Sequence, residues 1–358
     1  MATHFRLIDT GIRDGRENVA FDQATIDLRA SNRIADTVRF LGFPPTVLVG
    51  RHQVLSQEID LAYCTENGIG TARRITGGGA IYFDEGQLGW ALTFNRHALG
   101  VNSLEAITAK ICEAAALGLS SLGINANYRP RNDIEVDGRK ISGTGGFFDG
   151  DVLFYQGTVL VDLDPEKMVA ALRVPASKLG KRGLESAASR VVTLAELLGS
   201  GVPKLAEIKL ALVTAFAERL ELDISPTDIT ADEETATKEI FDTEVGTEEF
   251  VHEIDNRSVN ENPYVGHSNG PGGSITSYVR LDGKRQNQIR DVLFTGDFFV
   301  TPPRVTLDLE AKLKRVRVED VAACIETFFA TSDIGTLSIE PEDFIRAMDD
   351  AIRKVRFA

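Results

Sequence analysis

The chain has 358 residues, 43% of them apolar and 26% charged, which excludes a disordered tail, a collagen-like fibre and a disulfide scaffold and implies two domains at about 150 residues each. Its 39 Lys plus Arg against 53 Asp plus Glu leave a net charge of −14, a field that opposes nucleic acid and anionic membrane surfaces. Three scattered cysteines (Cys64, Cys112, Cys324), no basic-then-apolar leader and no membrane-length apolar window point to a soluble, cytoplasmic protein, with a monomer favoured.

Residues 17–222 alternate short strand-like runs with helical patterns. Thr46-Val47-Leu48-Val49 reads as a strand, 80–83 as another after a glycine run, and Trp90 to Phe94 as a third. Leu104 to Leu122, rich in Ala and Leu at helical spacing, predicts a helix. Asp137-Gly138 marks a hairpin turn, Phe154 to Asp162 a strand, and 166–173 and 204–220 helices. Text from Asp223 to Asn262 is acidic, and Gly266 to Gly273 has the composition of a connection. Beyond it, Ser274 to Leu281 and Gln286 to Phe294 flank Asp282-Gly283 as a hairpin, with helices expected at 308–315, 318–329 and 341–355. The expected division is a first unit over 1–255, a linker over 256–273 and a small α+β unit over 274–358.

The most specific stretch is Arg73-Arg74-Ile75-Thr76-Gly77-Gly78-Gly79-Ala80-Ile81-Tyr82-Phe83-Asp84. Consecutive glycines let backbone N–H groups form an anion-cradling nest, and two arginines add fork-shaped donors for phosphate or carboxylate. A flexible turn with solvated arginines is the alternative. Neither Walker nor dinucleotide-binding spacing is present. The second stretch runs from Asn132-Asp133 through Gly138-Arg139-Lys140-Ile141-Ser142-Gly143 to Gly145-Gly146. A period of two puts Lys140 and Ser142 on one strand face and Ile141 on the other. An ammonium aimed from a strand beside glycines can neutralise charge on a phosphate or carbonyl oxygen; a solvated edge lysine is the other reading. Gln156 and Thr158 share a face of the next strand, and Lys178, Lys181, Arg182 and Arg190 form a basic island in a glycine-containing segment, read either as a mobile binding loop or as solvated surface.

Together these stretches resemble the lipoate-protein ligases of the biotin/lipoate ligase superfamily. Arg16 to Gln23 resembles the family's opening helix, Gly50-Arg51-His52-Gln53 its G-R-x-Q turn, and 73–84 its R-R-x-[ST]-G-G-G-A-V-[YF]-H-D signature. Asn132-Asp133 with 138–143 resembles the N-D-I…G-[RK]-K-I-S-G element, Gln156-Gly157-Thr158 the H-G-[ST], and 189–194 the S-R-V-x-N-[LI]. Phe83, Gln87 and Gln156 replace the family's usual His, Asn and His.

The resemblance implies an α+β fold: a catalytic domain of mixed β-sheets with flanking helices, and a small α+β C-terminal domain. It implies activation of lipoate with Mg-ATP to lipoyl-adenylate, and transfer to a lysine of an acceptor domain or carrier protein. Carried over position by position, Lys140 is the catalytic lysine. Arg73, Arg74, Gly77, Gly78, Gly79, Ala80, Ile81, Tyr82, Asp133, Lys140 and Ser142 are expected at ATP and adenylate. Arg74, Gly79, Lys140, Gly145 and Gln156 are expected at lipoate, and Lys178, Lys181 and Arg182 on a loop meeting adenylate and acceptor. Val19, Phe21, Phe147 and Phe148 are candidate linings for the acyl tail, with ordinary core packing as the alternative reading. No metal ligands are assigned. Two rivals remain: an octanoyl or lipoyl carrier-protein acyltransferase, which needs a cysteine nucleophile, and a non-catalytic adenylate-binding partner protein.

Overall fold

The computed structural model describes residues 3–101, 103–173, 189–258, 263–270, 272–282, 287–337 and 339–356. Its centre is an eight-stranded mixed sheet in the order Leu222–Pro226, Thr3–Ile12, Thr37–Gly42, Gln87–Asn95, Val152–Leu160, Arg139–Asp149, Asp133–Val136 and Asn127–Arg129. Thr3–Ile12 runs parallel to both of its neighbours, and the other pairings are antiparallel. Trp90, Tyr155 and Phe94 on one sheet face pack against the helices Leu104–Ser120 and Leu205–Leu220. Each fully buried side chain of this size stabilises by ~1.5–3 kcal/mol. On the opposite face lies the helix Gly15–Ala30, started by Asp14, whose carboxylate accepts from the amides of Arg16 and Glu17.

The acidic text after Asp223 belongs to this unit. Leu222–Pro226 is the outermost strand beside Thr3–Ile12, and the helix Ala231–Thr243 follows, with Thr230 and Glu233 forming a reciprocal capping box. Glu233 is completely buried and accepts from the Arg6 guanidinium, so one acid in the run is an internal ion-pair partner rather than solvated charge.

A smaller sheet, ordered Gly70–Arg73, Thr46–Val49, Ile81–Phe83, sets up the site. Its outer strands flank Thr46–Val49, one parallel and one antiparallel, so the connection 74–80 arches over the end of the central strand. The turn that begins at Gly50 lies directly beneath: a Cβ there would come 1.9 Å from the carbonyl oxygen of Gly78.

The C-terminal unit has its own core, with Phe294, Phe298, Ile325 and Phe344 buried together. Within 256–273, expected as a linker, Tyr264–Gly270 is instead a strand paired antiparallel to Gly273–Asp282. Its glycines read as connection but serve packing: a Cβ at Gly266 would lie 2.0 Å from the carbonyl oxygen of Ala347 in the helix Pro341–Arg356. The strands Gly273–Asp282 and Gln288–Asp297 pair as the hairpin reading requires, and the turn at 283–286 lies outside the described residues. A two-stranded pair, Phe299–Thr301 with Gly335–Leu337, brings this unit against the main sheet, where Thr301 Oγ1 accepts from the Phe148 amide at 2.7 Å and donates to the Phe148 carbonyl at 2.9 Å.

Candidate active site

A cavity of about 460 Å³ opens between the two sheets, and the triglycine arch and the lysine strand both line it. Gly78 has φ +91°, a conformation that glycine tolerates. Arg74 holds the arch from below. It donates from Nη2 to the carbonyls of Gly79 (2.8 Å) and Gly77 (3.1 Å), and from Nη1 to that of Leu48 (2.9 Å). Burial lowers its pKa to about 10, while nearby Asp297 acts in the opposite direction. Gln156 donates to Thr76 Oγ1 at 2.8 Å, so this side chain ties the arch to the main sheet.

Lys140 reaches the cavity because its strand is bulged. Glu135 pairs with Lys140 and Ile134 with Ser142, leaving Ile141 as the extra residue. Directly opposite residues share a face, so Ser142 turns inward with buried Ile134 while Lys140 stays with Glu135. Strict alternation, which would place Lys140 and Ser142 together, fails here. Ser142 is fully buried, its Oγ has no hydrogen-bond partner among the described residues, and it does not line the cavity. The Lys140 Nζ lies 2.7 Å from Asp133 Oδ1. Burial pushes the Asp133 carboxyl up, but Lys140 and Arg129 outweigh it and hold it below the usual carboxylate range. Gly143 makes room for the lysine stem, since a Cβ there would sit 2.6 Å from both Cε and Nζ of Lys140. The segment 190–192 clamps the backbone: Lys140 N donates to the Arg190 carbonyl (2.8 Å) and Val192 N to the Lys140 carbonyl (2.9 Å).

Of the residues singled out from sequence, Arg74, Gly77 to Tyr82, Asp133, Lys140, Gly145 and Gln156 all line the one cavity. Arg73 does not. It is completely buried and donates to the carbonyls of Gly50, Gln53, Phe250 and Val251, holding the Gly50 turn to the helix Glu248–Val251. Lys178, Lys181 and Arg182 lie outside the described residues. Val19 lines the apolar lobe with Leu41, Phe43, Leu48 and Phe83, whereas Phe21, Phe147 and Phe148 do not line it. Phe83, standing where the family has His, packs tilted against Phe43 with ring centroids 4.4 Å apart, so this wall is apolar. Gln87 donates to the Tyr82 carbonyl at 3.2 Å.

Sequence reasoning missed the contribution of the C-terminal unit. Gly78 N donates to the Phe298 carbonyl at 3.0 Å, the Phe299 ring lies against Gly78 and Gly145, and Asp297 and Phe299 line the cavity. The Asp297 carboxylate sits over Gly79, where an added Cβ would be 3.0 Å from Oδ2. The dock is fixed by His52, which stacks on Phe298 at 4.8 Å and accepts at its carbonyl from Gly296 N. Such contacts join residues more than 150 positions apart, and no local pattern announces them.

None of the three thiols sits in this cavity. Cys112 lies behind the sheet, 3.2 Å from Thr144 Oγ1 and 3.3 Å from the Tyr155 hydroxyl, and burial pushes its thiol up to about 11. Cys64 is likewise pushed up to about 11 by burial, and Cys324 is also raised. Among the described residues no group of three His, Cys, Asp or Glu is placed to hold a metal, and no helix is long and apolar enough to cross a membrane.

The family model described as the lipoyl protein ligase A/B catalytic domain matches residues 14–217, more than half the chain. The lipoate-protein ligase LplJ of Bacillus subtilis is 36% identical over 154 residues, 43% of this chain and 45% of that protein. The octanoyltransferase LipM of Symbiobacterium thermophilum is 28% identical over 70% of this chain and 98% of its own. Among solved structures, a lipoate-protein ligase A bound with ATP superposes with a TM-score of 0.61 at 27% identity, over 71% of this chain and all of the other. P. falciparum LipL1 shares the fold over 99% of this chain and all of its own, with a TM-score of 0.70 at 17% identity.

Proposed function

The chain belongs to the lipoyl protein ligase A/B catalytic-domain family, and from that premise we propose that it activates lipoate with ATP and transfers the lipoyl group to a lysine of an acceptor domain. One observation carries the reading: the Lys140 ammonium and the Gly77–Gly79 arch line the same cavity, which also has an apolar wall of Val19, Leu41, Phe43, Leu48 and Phe83. In the first step a lipoate carboxylate oxygen attacks the α-phosphorus, the bond to the bridging oxygen breaks, and pyrophosphate leaves. Two anions must approach, so a fixed ammonium and aligned amides lower the barrier by meeting the charge as it develops. In the second step the acceptor's neutral lysine amine attacks the acyl carbonyl carbon, AMP departs and the amine proton is lost to solvent. Lys140 can serve both steps, because phosphate and carbonyl oxygens occupy neighbouring positions in a mixed anhydride.

Magnesium fits this site as a passenger on the nucleotide. Mg²⁺ is commonly held by substrate phosphates, waters and one or two carboxylates, and Asp133 is the cavity carboxylate beside Lys140 that would hold it and let it neutralise phosphate charge.

The thiol environments favour the ligase over the acyltransferase. A covalent acyl-enzyme needs an accessible thiolate, and each cysteine here is held protonated and away from the cavity. Lipoate-dependent exchange of labelled pyrophosphate into ATP tests the reading. Exchange is expected in the wild type and should fall by at least about 10³-fold in Lys140→Ala, the scale of a lost charge stabiliser. Acyl transfer from an octanoylated carrier without ATP, with no exchange, would refute it.

A further inference from the structure

Four cationic side chains among the described residues line the cavity, and three are engaged within the protein. Arg74 donates to carbonyls of the arch, Lys140 pairs with Asp133, and Arg173 donates to the Ser56 carbonyl at 2.8 Å. The fourth, Arg131, is exposed at the rim and has no ion-pair or side-chain hydrogen-bond partner among the described residues. Its neighbours Arg129 and Arg139 are paired, with Asp133 and Glu196 respectively.

The backbone at Arg131 is unusual as well. It has φ +108°, beyond the left-handed helical well that non-glycine residues sometimes occupy, so a Cβ here is strained. The surroundings enforce that conformation. Residues 130–132 close the turn between the paired residues Arg129 and Asp133. Asn132 is fixed to Thr144 by three hydrogen bonds: its carbonyl accepts from Thr144 N (2.8 Å) and Oγ1 (3.0 Å), and its Nδ2 donates to the Thr144 carbonyl (2.6 Å). Thr144 is itself anchored to the Tyr155 hydroxyl at 2.6 Å. Glycine would satisfy this turn without strain. The arginine's role therefore lies in its side chain, held beside Asn132, Asp133 and Lys140.

We propose that Arg131 binds the β- and γ-phosphates of the nucleoside triphosphate and the pyrophosphate they become. This rests on the ligase reading. Reaction at the α-phosphorus beside Lys140 leaves the departing phosphates toward the open rim, where Arg131 presents an unpaired fork of donors suited to a polyphosphate. In a chain of net charge −14, a tetra-anionic substrate requires such a cation.

The test separates the two half-reactions in the full-length enzyme. Arg131→Gly should raise the KM for ATP and the Ki for pyrophosphate by about tenfold, the size of one charge-assisted hydrogen bond. It should leave transfer from purified lipoyl-adenylate to an acceptor lipoyl domain at the wild-type rate, with a melting temperature equal to or above that of the wild type. Arg131→Gln, which keeps the strained backbone, should show the same kinetic defect, and Arg131→Lys should recover part of it. Unchanged KM for ATP in both Arg131→Gly and Arg131→Gln overturns the assignment. So does a defect confined to the transfer step, which would mark Arg131 as a contact for an acidic acceptor. A wild type without exchange overturns the ligase reading itself, and the assignment with it.

Discussion

The sharpest consequence of the site geometry concerns Gly143. Adding one methyl group there places a Cβ 2.6 Å from both Cε and Nζ of Lys140, whereas carbon atoms in ordinary contact sit ~3.5–4.0 Å apart. The obstacle is the far end of a flexible side chain, so the fold can absorb it by moving the ammonium about 1 Å. Gly143 itself has no positive φ among the described glycines, and alanine narrows the unfolded ensemble, so Gly143→Ala should leave stability unchanged or up to ~1 kcal/mol higher. Catalysis should respond very differently. A misplacement of about 1 Å in a catalytic group costs on the order of 10²-fold, or ~2.7 kcal/mol. Lipoate-dependent pyrophosphate exchange should therefore fall about 10²-fold in kcat/KM while thermal unfolding is unaffected. The double variant Gly143→Ala with Lys140→Ala should be no slower than Lys140→Ala alone, because both changes remove one interaction. Wild-type exchange in Gly143→Ala, or additive losses in the double variant, would refute the claim that Gly143 acts by positioning Lys140.

Other outcomes follow from groups outside the reacting centre. Arg73→Met strips five backbone carbonyls of a buried donor and should cost ~3–5 kcal/mol in urea denaturation, whereas a fold of undiminished stability would show Arg73 to be no structural brace. Burial, with Arg51 and Arg73 nearby, lowers the His52 pKa to about 3, so the unfolded chain takes up a proton below pH ~6.5 that the folded chain refuses. Stability should thus fall with pH from ~6.5 toward 3 by up to ~1.4 kcal/mol per unit, and His52→Gln should flatten that slope between pH 6 and 4. Parallel slopes in the two proteins would exclude His52 as the source. Cys112→Ala should retain exchange and transfer within about threefold, since the thiol is protonated and behind the sheet; trapping of an acyl-thioester on Cys112 would reverse that conclusion.

Local chemistry made much of this protein legible. The Asp137-Gly138 pair adopts positive φ at both residues, 51° and 77°, as a two-residue hairpin demands. Leu104–Ser120 and Leu205–Leu220 form where helical periodicity places them. The glycine arch and Lys140, both singled out from local sequence alone, line one cavity.

Tertiary structure decided which residues those preparations serve. Arg73 and Arg74 are adjacent and chemically identical, yet strand alternation sends one into a bed of carbonyls beneath Gly50 and the other beneath the arch. A single extra residue, Ile141, turns Ser142 away from the site, and only the pairing with 133–136 reveals that bulge. The acidic run after Asp223 looks like solvated text until Glu233 finds Arg6, 227 positions away, in the interior. Asp297 and Phe299 reach the cavity only because the C-terminal unit docks through His52 and Thr301. Period, capping and turn chemistry act over a few residues and can be read from them. Burial, partner choice and register depend on what the rest of the chain brings alongside, and that information is nowhere local.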